Sequence, residues 1–423
     1  MNWPRLYLEA IRSGEETVSA KVRAVYEREV AWMDDPAFPY VFDEEAAARP
    51  IEFVEAYCKH SKGRWGRQPI RLELFQKAKI ALAFGWMNWE GKRRFREVVD
   101  IRGRKCGKST ETAAVELYML IADGEIGSEV FCTANKLEQA RLIFNEAVNM
   151  RAQSANIRAV TKKRQSDIYF PAMMATLKAL AAETRTMDGL NAHFFSLDEF
   201  HEARDSKVYD VMLQSQGTRE QPMAWLISTN GYVRESFFDT KYEYCSKVAL
   251  WQDGFHDLQL LPLLYELDSR EEWTDPLAWA KANPGLGRIK SLGTLADNVE
   301  KAKRDPTFLP TVLTKDFNIP ENTAAAWLTF EDAVNEASVP MEQLQNNYAI
   351  GGCDLSSTTD LTCATLLMRR PGDVNFYVLQ HYFIPQNRLE ATEQSSSREA
   401  PYRLWADQGW LTICDGASVD YRA

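Results

Sequence analysis

The spacing of apolar positions changes several times along the chain. Ser19 to Met33 is charged and helix-favouring, and Asp34-Asp35-Pro36 and Pro39 then break it. A second helical region runs from Ile51 to Ala83. The short apolar run Val98, Val99, Ile101 then leads through a basic loop into the helical segment ETAAVELYMLIA. Ser128 to Thr133 (SEVFCT) predicts a buried strand. Asn135 to Met150, with apolar residues at 137, 140, 143, 144, 147 and 148, predicts a helix. Further apolar strands end at Leu197 and at Ser228. Strand and helix in alternation imply a parallel α/β sheet. From 232 to 345 the pattern is helical and loop-like, punctuated by Trp273, Trp279, Trp327 and the Asn283-Pro284-Gly285 break. It reads as the close of the first domain and a linker, with no catalytic signal. From Asn347 three short strands separated by polar turns, near 348–354, 361–367 and 375–379, predict an antiparallel start. The expected organisation is a helical arm over 1–50, an α/β domain over 51–265, a helical linker over 266–345 and a second α/β domain over 346–423.

Composition narrows the class. Of 423 residues, 45% are apolar and 26% charged, as in a soluble globular protein, and no run is long enough to span a bilayer. The charged N-terminus carries no secretory core, so a cytosolic location is the default expectation. Seven cysteines without a C-x-x-C pair, and five unpaired histidines, indicate neither a zinc site nor a disulfide framework. A net charge of −10 argues against generic nucleic-acid binding but allows a local basic face. Gly91-Lys92-Arg93-Arg94-Phe95-Arg96 and Lys162-Lys163-Arg164 are the candidate patches, and a solvated loop is the plainer reading of each.

Candidate chemistry begins in the loop Arg102-Gly103-Arg104-Lys105-Cys106-Gly107-Lys108-Ser109-Thr110. Strand, Gly-bearing loop and helix is the context of a phosphate-cradling P-loop, although Arg102 stands where the template has Gly. The loop N–H groups and helix dipole favour an anion, Lys108 would reach the terminal phosphates, and Ser109 would offer its hydroxyl to Mg²⁺. Upstream, Gln76 has the donor and acceptor needed to read adenine, or is an ordinary exposed helix residue. About ninety residues after the loop, Asp198 and Glu199 end an apolar strand. A nucleotide hydrolase needs one acid for Mg²⁺ and a second to orient and deprotonate the attacking water. Ser228-Thr229-Asn230 end the next strand, where small polar groups could sense the γ-phosphate or simply form a turn. In the second domain, Asp354 and Asp360 flank a turn. They could share metal ions for phosphodiester hydrolysis, or serve as turn formers.

Taken in order, these motifs resemble the large terminase subunit of tailed bacteriophages: Gln76, the Arg-bearing P-loop, Leu197-Asp198-Glu199, Ser228-Thr229-Asn230 and then GGCDLSSTTDLT. Met187-Asp188-Gly189-Leu190 and Lys281-Ala282-Asn283-Pro284 also resemble that family. The resemblance implies an additional-strand, RecA-like P-loop ATPase with ATP and Mg²⁺. In it Asp198 would be on the metal, Glu199 the catalytic base, Arg104 at the γ-phosphate and Ser228 to Asn230 the coupling motif. It implies an RNase H-like nuclease domain with Asp354 as first ligand for Mg²⁺ or Mn²⁺ and Asp360 assisting. Because none of Asp407, Asp415 and Asp420 matches the later acids, this domain reads as truncated. The implied role is DNA packaging. Its implied partners are double-stranded DNA, the portal of a procapsid, a small terminase subunit and other copies in a ring, with Arg141 or Arg185 acting in trans, in the cytoplasm of an infected or lysogenic bacterium. The alternative is a P-loop helicase or translocase without nuclease activity.

Overall fold

The computed structural model describes residues 1–180, 189–203, 205–232, 236–321, 339–345, 347–356, 361–387 and 402–419. The chain forms two compact units, Met1–Ala326 and Trp327–Ala423.

The first unit begins with α1 (Trp3–Ser13) and α2 (Ala20–Trp32), capped by the side chains of Asn2 and Ser19. β1 (Val41–Phe42) pairs antiparallel with β2 (Trp86–Met87), and α3 (Glu44–Tyr57) and α4 (Leu74–Gly85) lie between them in sequence. The main sheet is then built from β3 (Glu97–Ile101), β4 (Glu129–Ala134), β5 (Lys162–Lys163), β6 (Asp167–Phe170), β7 (Ala175–Leu180), β8 (Ala192–Asp198), β9 (Met223–Ser228) and β10 (Leu260–Leu264). The intervening helices are α5 (Lys108–Ile121), α6 (Leu137–Gln153), α7 (Ala155–Val160), α8 (Lys207–Gln214) and α9 (Phe237–Ala249). The strand order is β10-β3-β9-β8-β4-β7-β6-β5. The pairs from β10 to β7 are parallel, and β6 and β5 extend the sheet antiparallel. β9 stands between β3, which leads into the Gly-bearing loop, and the acid-bearing strand β8.

Alternation across the pleat explains why these strands read as unbroken apolar runs. Val98, Phe194, Trp225 and Ile227 point into one core with α1 to α6. Val99, Ile101, Phe195, Leu197 and Leu226 point into the other, with Met212 of α8 and Phe238 and Val248 of α9. Each strand is covered on both faces, so neither set of alternate residues needs to be polar.

The N-terminal helices belong to this core, through Tyr7, Leu8, Val22 and Tyr26. The basic stretch 92–96 is neither a solvated loop nor a nucleic-acid patch at its centre. Arg94, 1% exposed, pairs with Glu29 of α2 at 2.8 Å and lies over the rings of Trp32, Phe38, Tyr40, Trp86 and Phe95. Arg93 is buried against Asp123. The stretch read as a linker also belongs, over 266–321, to the first unit. There α10 (Leu292–Arg304) and α11 (Leu309–Phe317) close a small core of Trp279, Leu295, Val299, Val312 and Phe317.

The second unit is a four-stranded sheet of β11 (Ala349–Asp354), β12 (Thr362–Met368), β13 (Tyr377–Pro385) and β14 (Leu411–Cys414), in that order. The first three pair antiparallel, as the polar turns predict. β14, reached through a short helix at Tyr402–Asp407, joins β13 in parallel. Every residue of β11 is exposed. Among the described residues of the chain, no helix is long and apolar enough to cross a membrane.

Candidate active site

The C-terminal ends of β3, β9 and β8 carry the polar residues. Register places Ser228 opposite Ile101 and Asp198 opposite Ile227, so the Gly-bearing loop, Ser228-Thr229-Asn230 and the acid pair rise from one end of the sheet. That end is where parallel α/β sheets bind ligands.

The P-loop divides into a buried and an exposed part. Arg102 is wholly buried and lies beneath the loop. Its guanidinium meets Glu111 at 2.6 Å and Asp100 at 3.1 Å, and Lys79 pairs with the same two carboxylates. Two cations and two anions thus neutralise one another in the core. The arginine and lysine charges hold Asp100 below its ordinary range despite its burial. Glycine is required one residue later than the template has it. A Cβ at Gly103 would stand 2.3 Å from Asn283 Oδ1 and 2.6 Å from the Asp316 carbonyl. Gly107, at φ +82°, supplies the left-handed turn that starts α5. Arg104, Lys105 and Ser109 are exposed at the mouth, Thr110 is half-buried and Cys106 is buried. Lys108 Nζ donates to the carbonyls of Arg102 (2.6 Å) and Gly103 (3.3 Å), folded back on its own loop.

A cavity of about 280 Å³ opens beside the loop, lined by Gln68, Arg71, Gln76, Gly107, Thr110 and Ile289, among others. Gln76 sits in its wall with the amide engaged: Oε1 accepts from Glu73 N–H (3.0 Å) and Nε2 donates to Glu111 (2.9 Å). Gln68 lines the same cavity.

At the acid pair, environment separates two adjacent carboxylates. Burial and the neighbouring Glu199 charge push Asp198 up to about 7. Burial acts on Glu199 too, but His201, Lys108 and Lys315 outweigh it and hold Glu199 at about 2. A divalent cation beside Asp198 would favour its ionised form and reverse that rise. An ionised carboxylate such as Glu199 can accept a proton or hold a water. Below them, Glu116 bonds Ser196 (2.6 Å) and Cys132 (3.0 Å), and burial raises it to about 7.

Ser228, Thr229 and Asn230 are all fully buried. Ser228 Oγ lies 2.9 Å from His201 Nδ1, and Asn230 donates two hydrogen bonds to Asn318, from its N–H to Oδ1 (2.9 Å) and from Nδ2 to the carbonyl (3.0 Å). Asn283, Lys290, Lys315 and Asn318, all from the stretch read as lacking chemistry, line this region. Asn283 accepts from Lys290 (2.6 Å), and Lys315 donates to His201 Nε2 (2.6 Å). The Lys281-Ala282-Asn283-Pro284 segment was the one available signal for them.

Of the remaining candidates, Arg141 is exposed on α6. Asp354 is exposed at the end of β11, and Asp407 and Asp415 are exposed. Asp360, Arg185 and Asp420 lie outside the described residues. Among the described residues, no three His, Cys, Asp or Glu side chains gather as a metal cluster.

A family model described as terminase large subunit, ATPase domain, matches residues 74–247, and one described as terminase large subunit, endonuclease domain, matches 256–423. The chain is 28% identical over 382 residues to the terminase large subunit of Enterobacteria phage HK97, spanning 88% of this chain and 72% of that protein. It is 24% identical over 324 residues to the terminase large subunit of Lactococcus phage p2, spanning 74% of this chain and 57% of that one. The crystal structure of the HK97 large terminase superposes with a TM-score of 0.57 at 26% identity, covering 89% of this chain and 75% of that chain.

Proposed function

Because the chain belongs to the large terminase subunit family of tailed phages, we propose that its first unit hydrolyses ATP to drive double-stranded DNA into a procapsid. Asp198 and Glu199, beside the P-loop at one end of the sheet, carry this reading. In it the loop N–H groups and Lys108 hold the phosphates, and Ser109 and Asp198 hold Mg²⁺, which would neutralise charge on the transferred phosphoryl group. Lys108 would exchange two neutral carbonyls for phosphate oxygens, a stronger acceptor. Arg104, exposed at the mouth, is the arginine for the γ-phosphate, whereas Arg102 supports the loop from below. The cavity beside Gly107 is the place for the base.

The second unit is read as the opening of an RNase H-like nuclease, with Asp354 on the first strand as a ligand for Mg²⁺ or Mn²⁺ and Asp360 as its neighbour in sequence. The helicase alternative would pair the ATPase with a second parallel P-loop sheet, and β11, β12 and β13 are antiparallel instead. A portal, a small terminase subunit and a ring of copies are the partners this role implies.

The test is ATP turnover by the purified chain with Mg²⁺, with and without DNA. Glu199→Gln should bind ATP and fail to turn it over, a loss of about 10²- to 10⁴-fold for a missing general base. Lys108→Ala should weaken nucleotide binding itself. Normal turnover by either variant would remove this assignment.

A further inference from the structure

The 266–321 segment does more than lie against the ATPase sheet. Gly103 N–H donates to the Ala282 carbonyl (2.8 Å), and Arg104 N–H donates to the Lys315 carbonyl (2.9 Å). The side chain of the same Lys315 turns the other way. Its Nζ donates to His201 Nε2 (2.6 Å) and to the Asn230 carbonyl (3.0 Å). An ammonium can only donate, so Nε2 is the acceptor and the imidazole proton sits on Nδ1. Nδ1 then donates to Ser228 Oγ (2.9 Å), and Glu199 Oε2 stands 3.0 Å from it as a close polar contact without hydrogen-bond geometry. Glu199 itself has a left-handed backbone at φ +50°, which a non-glycine residue keeps only where its surroundings hold it.

We infer that Lys315 is a positioning residue for ATP hydrolysis: acting through His201, it sets where the Glu199 carboxylate stands. The inference rests on the ATPase reading above and deepens it. One residue of α11 holds the P-loop by its carbonyl and the catalytic carboxylate's neighbour by its ammonium. Any displacement of α11 relative to β8 must therefore alter both at once. The 266–321 segment is thereby a working part of the hydrolytic site. Burial and the nearby Arg104 charge bring Lys315 down to about 8, which leaves the ammonium mostly protonated at neutral pH and able to donate.

The experiment measures kcat and KM for ATP with the full chain, wild type beside Lys315→Met, Lys315→Arg, His201→Phe and the double variant. Lys315→Met should lower kcat by about 10- to 100-fold, the scale of a misplaced catalytic group, with KM changed little. Lys315→Arg, which keeps a charged donor, should recover part of that loss. His201→Phe keeps a ring against Phe238 and leaves the Lys315 bond to Asn230, and it should lose kcat to a similar degree. The double variant should be no worse than the worse single one, as for residues acting through one another. Wild-type kcat in Lys315→Met, or losses that multiply in the double variant, would overturn the inference. If Lys315→Met fails to fold, His201→Phe decides alone, and wild-type kcat there overturns it. A wild-type chain that does not hydrolyse ATP would instead remove the ATPase reading.

Discussion

Asp198 and Asp354 hold the same place in the pattern: each ends an apolar strand of a mixed sheet. Their surroundings differ completely. All seven residues of β8 are buried, and Asp198 is 4% exposed beside a second carboxylate and a lysine. All six residues of β11 are exposed, and Asp354 faces solvent. An acid at a strand end is one signal in sequence and two situations in space. In the first unit, charge is taken out of water and must be answered by other groups. In the second, water answers it.

The largest effect expected from this contrast is at Arg102. Removing it leaves Asp100 and Glu111 with one buried cation between them, so Arg102→Ala should destabilise the first unit by about 3–5 kcal/mol. Denaturant unfolding measures this, and a change under about 1 kcal/mol would mean that the buried charges are not interdependent. A smaller, pH-dependent effect is expected at Glu116, whose carboxyl rises from 4.5 to about 7 on folding. A raised carboxylate favours the fold below its unfolded value and loses that contribution as pH climbs through the folded one. Glu116→Gln should match wild type near pH 4 and exceed it by about 3 kcal/mol at pH 8. A gap that stays constant with pH would contradict the burial argument. The smallest effect is at Asp354, where Asp354→Asn should leave unfolding stability unchanged within about 0.5 kcal/mol. A clear shift there would show that the exposed strand is covered and would erase the contrast.

Much of the first unit was legible because both faces of its strands are apolar. Val98, Val99 and Ile101 announce a buried strand whichever face each takes, and the glycine loop and Asp198-Glu199 follow at strand ends. Arg102 was not legible. Its basic neighbours Arg104, Lys105 and Lys108 suggest an exposed loop, and its burial depends on Lys79, Asp100 and Glu111 converging from three elements. Arg93 and Arg94 misled for the same reason, since Asp123 and Glu29 lie far from them in sequence. Lys315 and Asn283 were out of reach of any local pattern, being well over a hundred residues from the loop they touch. Spacing shows which side chains share a face; it does not show which distant carbonyl a lysine will find.

The cage around Arg94 determines where this ATPase can be cut. The arginine sits among five rings, and its counter-charge, Glu29, comes from the second helix of the stretch read as an N-terminal arm. A shortened protein beginning at the family-model boundary of residue 74 would strand that guanidinium in an apolar shell without its anion and without Trp32, Phe38 and Tyr40. A piece that keeps the charge of Arg94 answered must therefore begin before Glu29, well upstream of the residues the family model matches.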